Sequence, residues 1–218
     1  MLRQAARAIA GLASPDPVKR VRTLEMIAEN LLWRAGQEAA YRHLEVPPAL
    51  PASAVRGALL YATRELMLDA VPKACEVAEV GTWRGEFSAR IVETCRPRVF
   101  HLIDIDLSPL DPSVQGIRHQ GDSSTILAGF PAASLDWVYI DGDHSYEGAR
   151  KDLAAAHRAL KPGARMTCND YTNWMSLAVQ PYGVARAVNE FVVERGYKVE
   201  GLALSRFGNH DLLIRRPD

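Results

Sequence analysis

Three groups that can take up or release a proton stand close together at Asp141, Asp143 and His144. They follow an apolar run, residues 137–140, whose β-branched and aromatic side chains predict a strand covered on both faces. Gly142 permits a sharp turn there, and ligands bind at such strand-to-helix turns in open α/β sheets. The alternative is that the carboxylates only satisfy backbone amides of the turn. Three such groups within four residues favour an active site.

A glycine-containing turn, residues 81–85, follows an earlier predicted strand over residues 76–80. Bare backbone in such a turn lets a ligand approach closely. The dinucleotide-binding pattern G-x-G-x-x-G is absent, because Trp83 occupies its second glycine position. Glu79 is an unusual residue for a buried first strand. It could hold a cationic or amine-bearing ligand, or it could be a surface residue at a strand end.

Acidic residues also follow the second and third predicted strands. Asp104 and Asp106 end the second strand, and an acidic residue about 20 positions after a glycine turn can accept hydrogen bonds from ribose hydroxyls. Asp106 is the better placed of the two, just beyond the strand end, and Asp104 could be structural. The sequence Gly121-Asp122-Ser123 after the third strand could bracket a base, although the same residues commonly cap a helix.

The pattern of the whole chain predicts an α/β fold. From residue 74 onward, strands alternate with helices, and the last two strands, residues 198–204 and 211–214, are close enough for an antiparallel hairpin. Residues 1–73 are expected to form a helical N-terminal extension. Pro15 and Pro17 separate its short first helix from a longer second one, and a third helix starts at Ser53, runs through Met67 and ends before Pro72. That extension could be a lid or a dimer arm, or its charged faces could simply be solvated. Residues 74–218 would form the ligand-binding domain.

Composition limits the classes of function. A chain of 218 residues suits one domain, and 26 basic residues balance 26 acidic ones. This balance does not predict nucleic acid or an anionic membrane as a partner. Three cysteines without metal-ligand spacing indicate reduced, intracellular thiols. The N-terminus does not have the pattern of a signal peptide, and no apolar run approaches the roughly 20 residues of a membrane span. A cytoplasmic protein is expected.

Taken in order, these motifs resemble the class I S-adenosylmethionine-dependent methyltransferases from about residue 74 to the C-terminus. The resemblance is carried by Glu79-x-Gly81-x-x-x-Gly85, the acidic end of the second strand, Gly121-Asp122-Ser123, Leu135-Asp136-x-Val138-x-x-Asp141 and Leu160-Lys161-Pro162-Gly163. Residues 140–147 are similar, more specifically, to small-molecule O-methyltransferases that act on sugar hydroxyls of macrolide and aminocoumarin antibiotics, and more distantly to catechol O-methyltransferases. The resemblance implies a Rossmann-like sheet of seven strands with a reversed last strand and helices on both faces.

The resemblance also implies a cofactor, S-adenosyl-L-methionine, and the residues that hold it. The methionine part would lie over Gly81 and its neighbours, Asp106 would hold the ribose, and Asp122 and Ser123 would lie near the adenine. The implied cofactor-binding residues are Glu79, Gly81, Thr82, Trp83, Gly85, Ser88, Asp104, Asp106, Gly121, Asp122, Ser123 and Asp141.

In the metal-dependent members of this family, Mg²⁺ is held at the positions of Asp141, Asn169 and Asp170. Asn169 stands where the sugar-modifying members tend to have Asp, but its carbonyl oxygen can still bind a hard cation. Such a metal could bind the acceptor oxygen and lower its pKa, and Asp143 or His144 could then take the proton. Asp143 matches the proposed base of the sugar-modifying relatives, whereas His144 matches the basic residue of the catechol-type enzymes.

The sequence therefore predicts a methyltransferase that O-methylates a small hydroxylated molecule, with Mg²⁺ as a candidate second cofactor and a homodimer compatible with the helical N-terminus. Three alternatives stay open. One is a metal-independent methyltransferase of the same fold. Another is a nucleotide-dependent oxidoreductase, against which the missing second glycine counts. The third is a non-catalytic cofactor-binding or assembly protein, which Asp141→Ala would leave unaffected.

Overall fold

The computed structural model describes residues 12–34, 46–175 and 180–218. Most of the predicted helical segment before Pro15 lies outside the described residues. The helices are α1 (Pro17–Arg34), α2 (Ala52–Val55), α3 (Arg64–Met67), α4 (Glu86–Cys95), α5 (Ser123–Gly129), α6 (Tyr146–Ala159) and α7 (Val184–Arg195). The strands are β1 (Leu59–Tyr61), β2 (Glu76–Val80), β3 (Val99–Asp104), β4 (Ile117–Gln120), β5 (Leu135–Ile140), β6 (Leu160–Tyr171), β7 (Trp174–Met175), β8 (Gln180–Pro181), β9 (Lys198–Ala203) and β10 (His210–Arg215).

Eight strands form the main sheet, in the order β1-β9-β10-β6-β5-β2-β3-β4. Strands β2 to β6 are parallel to their neighbours among themselves, whereas β10 runs antiparallel to both β6 and β9. The predicted α/β sheet with a reversed last strand is therefore confirmed. The sheet has one strand more than the seven expected, because β1 pairs with β9 at the edge.

The prediction of a single helix that starts at Ser53, runs through Met67 and ends before Pro72 is wrong. Helix α2 stops after one turn, and Gly57 follows it with a φ of +87°, a left-handed conformation that glycine adopts without strain. The chain then extends into β1. Helix α3 starts afresh at Thr63, whose hydroxyl accepts a hydrogen bond from the backbone N–H of Leu66 at 3.4 Å.

The core lies on both faces of the sheet. Side chains alternate along β5, so that Val138 and Ile140 join one buried cluster with residues of α6 and α7. Trp137 and Tyr139 join a second cluster with residues of α3 and α4. Residues 137–140 therefore form a strand that is covered on both faces, as the sequence predicts. The packing on both faces holds the carboxyl end of β5 in place.

The described residues fall into two compact units. One contains α1 and the short β7–β8 ladder, and the other contains residues 47–173 and 182–218 with the whole main sheet. Residues 47–73 therefore fold in the same unit as the sheet. The role of the N-terminal segment as a lid or dimer arm stays a prediction. Within the described ranges, every helix is too short or too polar to cross a membrane.

Candidate active site

The turns that follow β2 and β5 touch each other through their backbones. Gly81 has a φ of +80° and its N–H donates to the carbonyl of Ile103 at 2.8 Å, while the N–H of Asp141 donates to the carbonyl of Val80 at 2.9 Å. A Cβ atom on Gly81 would lie only 1.7 Å from the carbonyl oxygen of Asp141. Only glycine fits there. The glycine turn is therefore fixed against Asp141, the first residue of the acidic turn (residues 141–144) that follows β5.

The glycine turn keeps a left-handed backbone at two further positions. Gly85, the residue before α4, has a φ of +83°. Trp83 has a φ of +43°, although it carries a large side chain and replaces the second glycine of the dinucleotide pattern. Its N–H donates to Asp104 Oδ2 at 2.8 Å, and the residue as a whole is 59% exposed. A strained residue held in this way at a ligand-binding turn is typical of functional sites.

Two buried polar atoms around this turn, Glu79 Oε2 and Thr82 Oγ1, have no hydrogen-bond partner within the described part of the chain, and Ser88 lies beside Glu79. Burial raises the pKa of Glu79 to about 8, against the opposing effects of Ser88 and Arg64. Buried polar groups without partners are costly, and they commonly mark the place of a ligand or an ordered water. Together with the glycine turn, these polar atoms fit the polar end of a nucleoside cofactor.

The two candidate ribose-binding carboxylates differ in what they contact. Asp104 accepts the N–H of Trp83 and, through Oδ1, the N–H of Asp106 at 3.1 Å. The exposed Asp106 accepts both the N–H and the hydroxyl of Ser108, each at 2.9 Å, and these bonds hold its pKa below the ordinary value. The structure thus places Asp104 against the glycine turn and Asp106 in a local turn of its own. A ribose contact of either residue stays a prediction.

The Gly121-Asp122-Ser123 segment starts helix α5. Asp122 caps the helix by accepting the N–H of Thr125 at 2.8 Å, and Ser123 donates its hydroxyl to Asp152 Oδ1 at 2.6 Å. The other oxygen of the buried Asp152 has no described partner, and a Cβ atom on Gly142 would lie 2.9 Å from it. Asp152 therefore connects the turns after β4 and β5. Sequence reasoning missed it, because a single Asp within a helix carries no motif.

The acidic turn after β5 (residues 141–144) and the end of β6 bring together three side chains of the types that can bind a metal ion. Each of Asp141, His144 and Asp170 offers one ligand atom, and these atoms lie within 4.8 Å of one another. His144 Nε2 lies 3.3 Å from Asp141 Oδ1 and 3.2 Å from Asp170 Oδ2. Burial lowers the pKa of His144, but its hydrogen bond to Asp141 and the charges of Asp141, Asp170 and Asp143 outweigh burial and raise it overall. The His144 ring is stacked on Tyr182 with centroids 4.5 Å apart.

Asn169, the third residue of the implied metal site, is held by a buried network. Its amide donates to Asp211 Oδ1 at 2.9 Å, and Asp211 Oδ2 accepts the hydroxyl of Tyr139 at 2.8 Å. Arg64 in turn donates to that hydroxyl at 3.1 Å. Burial raises the pKa of Asp211 to about 7. Because the amide nitrogen of Asn169 faces Asp211, its carbonyl oxygen is the atom left for a cation.

Asp143, the other candidate base, takes part in the turn that begins α6. Its carboxylate accepts the N–H of Ser145 at 2.9 Å and the hydroxyl of Ser145 at 3.0 Å. The same hydroxyl accepts the N–H of Gly148 and caps the helix. The structure therefore brings His144 next to Asp141 and Asp170, and it gives Asp143 a local structural role as well. Which of the two residues accepts a proton stays a prediction.

Comparison with known proteins agrees with this geometry. Residues 78–171, from β2 to the end of β6, match the family model of a methyltransferase domain. No curated protein sequence matches the chain significantly. An S-adenosylmethionine-dependent methyltransferase of Archaeoglobus fulgidus has a TM-score of 0.52 at 17% identity, over 71% of this chain and 91% of that one.

Two further solved structures share the fold. The pyocyanin biosynthetic protein PhzM has a TM-score of 0.54 at 14% identity, over 71% of this chain and 54% of that one. The tRNA methyltransferase TrmK of B. subtilis has a TM-score of 0.50 at 11% identity, over 71% and 64%. At such identities the likeness establishes the fold and leaves the methyl acceptor open.

Proposed function

We propose that the chain is an S-adenosylmethionine-dependent methyltransferase that methylates a hydroxyl oxygen of a small molecule. The family match and the sheet topology support methyl transfer. The observation that carries the proposal is the contact between Gly81 and Asp141. Through it, a cofactor seated on the glycine turn lies beside the Asp141–His144–Asp170 group, which can receive a proton. The same contact disfavours a non-catalytic cofactor-binding protein, which would need no such group.

Methyl transfer from a sulfonium is an in-line displacement, in which the acceptor O–C bond forms as the C–S bond breaks. Positioning of the two reactants supplies much of the rate. We assign cofactor binding to the glycine turn with Glu79, Thr82 and Ser88. The acceptor hydroxyl must lose its proton, and His144 or Asp143 takes it. When His144 takes it, the adjacent carboxylates stabilise the imidazolium that results.

The donor set at this site fits a divalent cation. Carboxylates of Asp141 and Asp170 and the carbonyl of Asn169 are the oxygen ligands that Mg²⁺ prefers. A bound Mg²⁺ would supply a Lewis acid that lowers the pKa of the acceptor hydroxyl. The metal-independent alternative is supported by His144, because an imidazolium between two carboxylates places a positive charge there without a metal.

Titration calorimetry with S-adenosylhomocysteine, with and without Mg²⁺, tests both parts of the proposal. We expect binding of the nucleoside and a separate Mg²⁺-dependent signal. Asp141→Asn should remove the Mg²⁺ signal, whereas Asp111→Asn, a change in an exposed acidic residue outside the site, should leave it. Nucleoside binding without any Mg²⁺ effect would favour the metal-independent enzyme. The absence of nucleoside binding under both conditions would refute the methyltransferase assignment.

The acceptor is proposed from the sequence resemblance and from charge. With equal numbers of basic and acidic residues, the chain does not have the excess of positive charge that drives binding to nucleic acid. Assays of S-adenosylhomocysteine release with sugar and catechol hydroxyl compounds, and with tRNA as a separate arm, would distinguish the acceptor classes. A homodimer and a cytoplasmic location are further proposals, and sedimentation and cell fractionation respectively would check them.

A further inference from the structure

Arg64 lies in α3, before the region that matches the methyltransferase family, and its guanidinium is fixed in place. One nitrogen donates to the hydroxyl of Tyr139 at 3.1 Å. The guanidinium carbon lies 4.2 Å from the ring centroid of Phe87, in the first turn of α4. Stacking on an aromatic face together with a hydrogen bond holds an Arg side chain in one orientation. With 36% of its side chain exposed, Arg64 is both held in place and open to a ligand.

The charge of Arg64 acts on both parts of the active site. Burial raises the pKa of Glu79, at the glycine turn, and the pKa of Asp170, at the end of β6, and the charge of Arg64 opposes this rise at both residues. Among the described residues it forms an ion pair with Glu65, 3.6 Å from Nε, and both side chains are partly exposed. Exposed pairs of this kind contribute little and exchange readily. The guanidinium is therefore available to a stronger anionic partner in the site.

The amino-acid end of the proposed cofactor carries one ammonium group and one carboxylate group. Glu79 supplies a buried carboxyl oxygen without a described partner, which suits the ammonium. The start of α4 favours an anion, because the first N–H groups of a helix have no partner within the helix and no described side chain caps this one. A planar guanidinium matches a carboxylate with two parallel hydrogen bonds.

We propose that Arg64 binds the carboxylate of the cofactor's amino-acid end, opposite Glu79, which binds its ammonium group. The inference rests on the proposed function and deepens it. It gives the segment before residue 74 a direct part in cofactor binding, with a residue that no sequence motif marks. Because Arg64 also contacts Tyr139, a filled cofactor site would be linked to the network that orients Asn169.

Three ligands separate the contribution of the carboxylate from the rest of the cofactor. S-adenosylmethionine carries both charged groups, decarboxylated S-adenosylmethionine lacks only the carboxylate, and 5′-methylthioadenosine lacks the whole amino-acid end. In calorimetric titrations of the full chain, Arg64→Gln should weaken S-adenosylmethionine binding about 10- to 100-fold, the usual cost of a charged hydrogen bond. Binding of the other two ligands should change less than about twofold. Arg64→Lys should retain part of the affinity.

Arg90→Gln is the matched control, because Arg90 lies in α4, outside the glycine turn, and its exposed guanidinium pairs with Glu93 at 2.9 Å. It should leave the preference for the carboxylate unchanged. Equal weakening of all three ligands by Arg64→Gln, or no weakening of any, would overturn the inference. If Arg64→Gln does not fold, the affinities of the wild-type protein test the inference. Equal affinity for S-adenosylmethionine and its decarboxylated form would overturn the inference. Failure of the proposed function would look different, since wild-type protein would bind none of the three.

Discussion

The side-chain amide of Asn169 donates a hydrogen bond to Asp211 Oδ1 at 2.9 Å, and both residues are buried. An Asp at position 169 would have no proton to donate in its ionised form, so two carboxylates would face each other in a poorly solvated place. Burial already raises the pKa of Asp211 to about 7. The Asn that departs from the pattern of sugar-modifying methyltransferases is therefore matched to its neighbour in this chain.

Asn169→Asp should consequently destabilise the protein by about 1–3 kcal/mol, the cost of a buried polar group that loses its partner. The double variant Asn169→Asp/Asp211→Asn reverses donor and acceptor and should recover most of that loss. Urea unfolding of the two single variants, the double variant and wild type forms a complete cycle. If Asn169→Asp were as stable as wild type in the absence of Mg²⁺, the hydrogen bond would not explain the choice of Asn.

Gly81→Ala should damage both stability and cofactor binding. The substitution meets two costs: an unfavourable φ of +80° and a Cβ atom 1.7 Å from the carbonyl oxygen of Asp141. Gly57→Ala is the matched control, since Gly57 has a φ of +87° but no described atom within 4 Å of its added Cβ. We expect a loss of about 1 kcal/mol for the control, from backbone strain alone.

Gly81→Ala should cost clearly more than the control in thermal unfolding, and it should abolish S-adenosylhomocysteine binding, which Gly57→Ala retains. Equal losses of stability for Gly81→Ala and Gly57→Ala would show that the turns at Gly81 and Asp141 can move apart at little cost. The close contact would then have no importance for the site.

Replacing Asp104 and replacing Asp106 should change cofactor affinity by different amounts. Asp104 fixes the N–H of the strained Trp83, so Asp104→Ala should loosen the glycine turn and weaken S-adenosylhomocysteine binding by about tenfold or more. The carboxylate of Asp106 already accepts two hydrogen bonds from Ser108, and Asp106→Ala should have the smaller effect. Calorimetric titration of the two variants side by side measures the difference. The reverse order would support the prediction that Asp106 holds the ribose.

Sequence reasoning identified the parts of the fold that depend on local patterns. The buried run of β5 and the turns at Gly81 and Asp141 were predictable, because parallel strands bring their carboxyl ends to one edge of the sheet. Strand β1 was not predictable. It has three residues, and it becomes a strand only by pairing with β9, about 140 positions later in the chain. Arg64 was missed for the same reason, since its partner Tyr139 is 75 positions away.

The carboxylates of the candidate site show a second limit of prediction from sequence. Asp106, Asp122 and Asp143 each follow a strand, as binding carboxylates do, but each accepts a hydrogen bond from a backbone N–H two or three residues later. Asp side chains serve ligands and local backbone amides with the same sequence pattern. Only the three-dimensional arrangement shows that Asp141 and Asp170, unlike these three, face His144.

Two neighbouring histidines on β3 and β4 should make stability depend on pH. His101 Nδ1 and His119 Nε2 lie 3.0 Å apart, so that one ring donates to the other, and His101 Nε2 lies 3.6 Å from Glu76. Burial lowers the pKa of both rings, and for His101 the neighbouring His119 lowers it further. In the unfolded chain, histidine takes up a proton at a pH of about 6.5. Between that pH and the lower folded pKa values, the unfolded state binds more protons, so stability falls as the pH falls.

His119→Gln should reduce this dependence, because it removes one titrating ring and leaves a side chain that can still donate to or accept from His101. The measurement is the urea midpoint of both proteins at pH 8 and at pH 5.5. Wild type should lose more stability than His119→Gln between the two values, and the comparison at pH 8 corrects for any change in packing. His144, with a raised pKa, has the opposite sign, and the difference between the two proteins cancels its effect. Identical losses in both proteins would mean that the pair does not contribute to acid sensitivity.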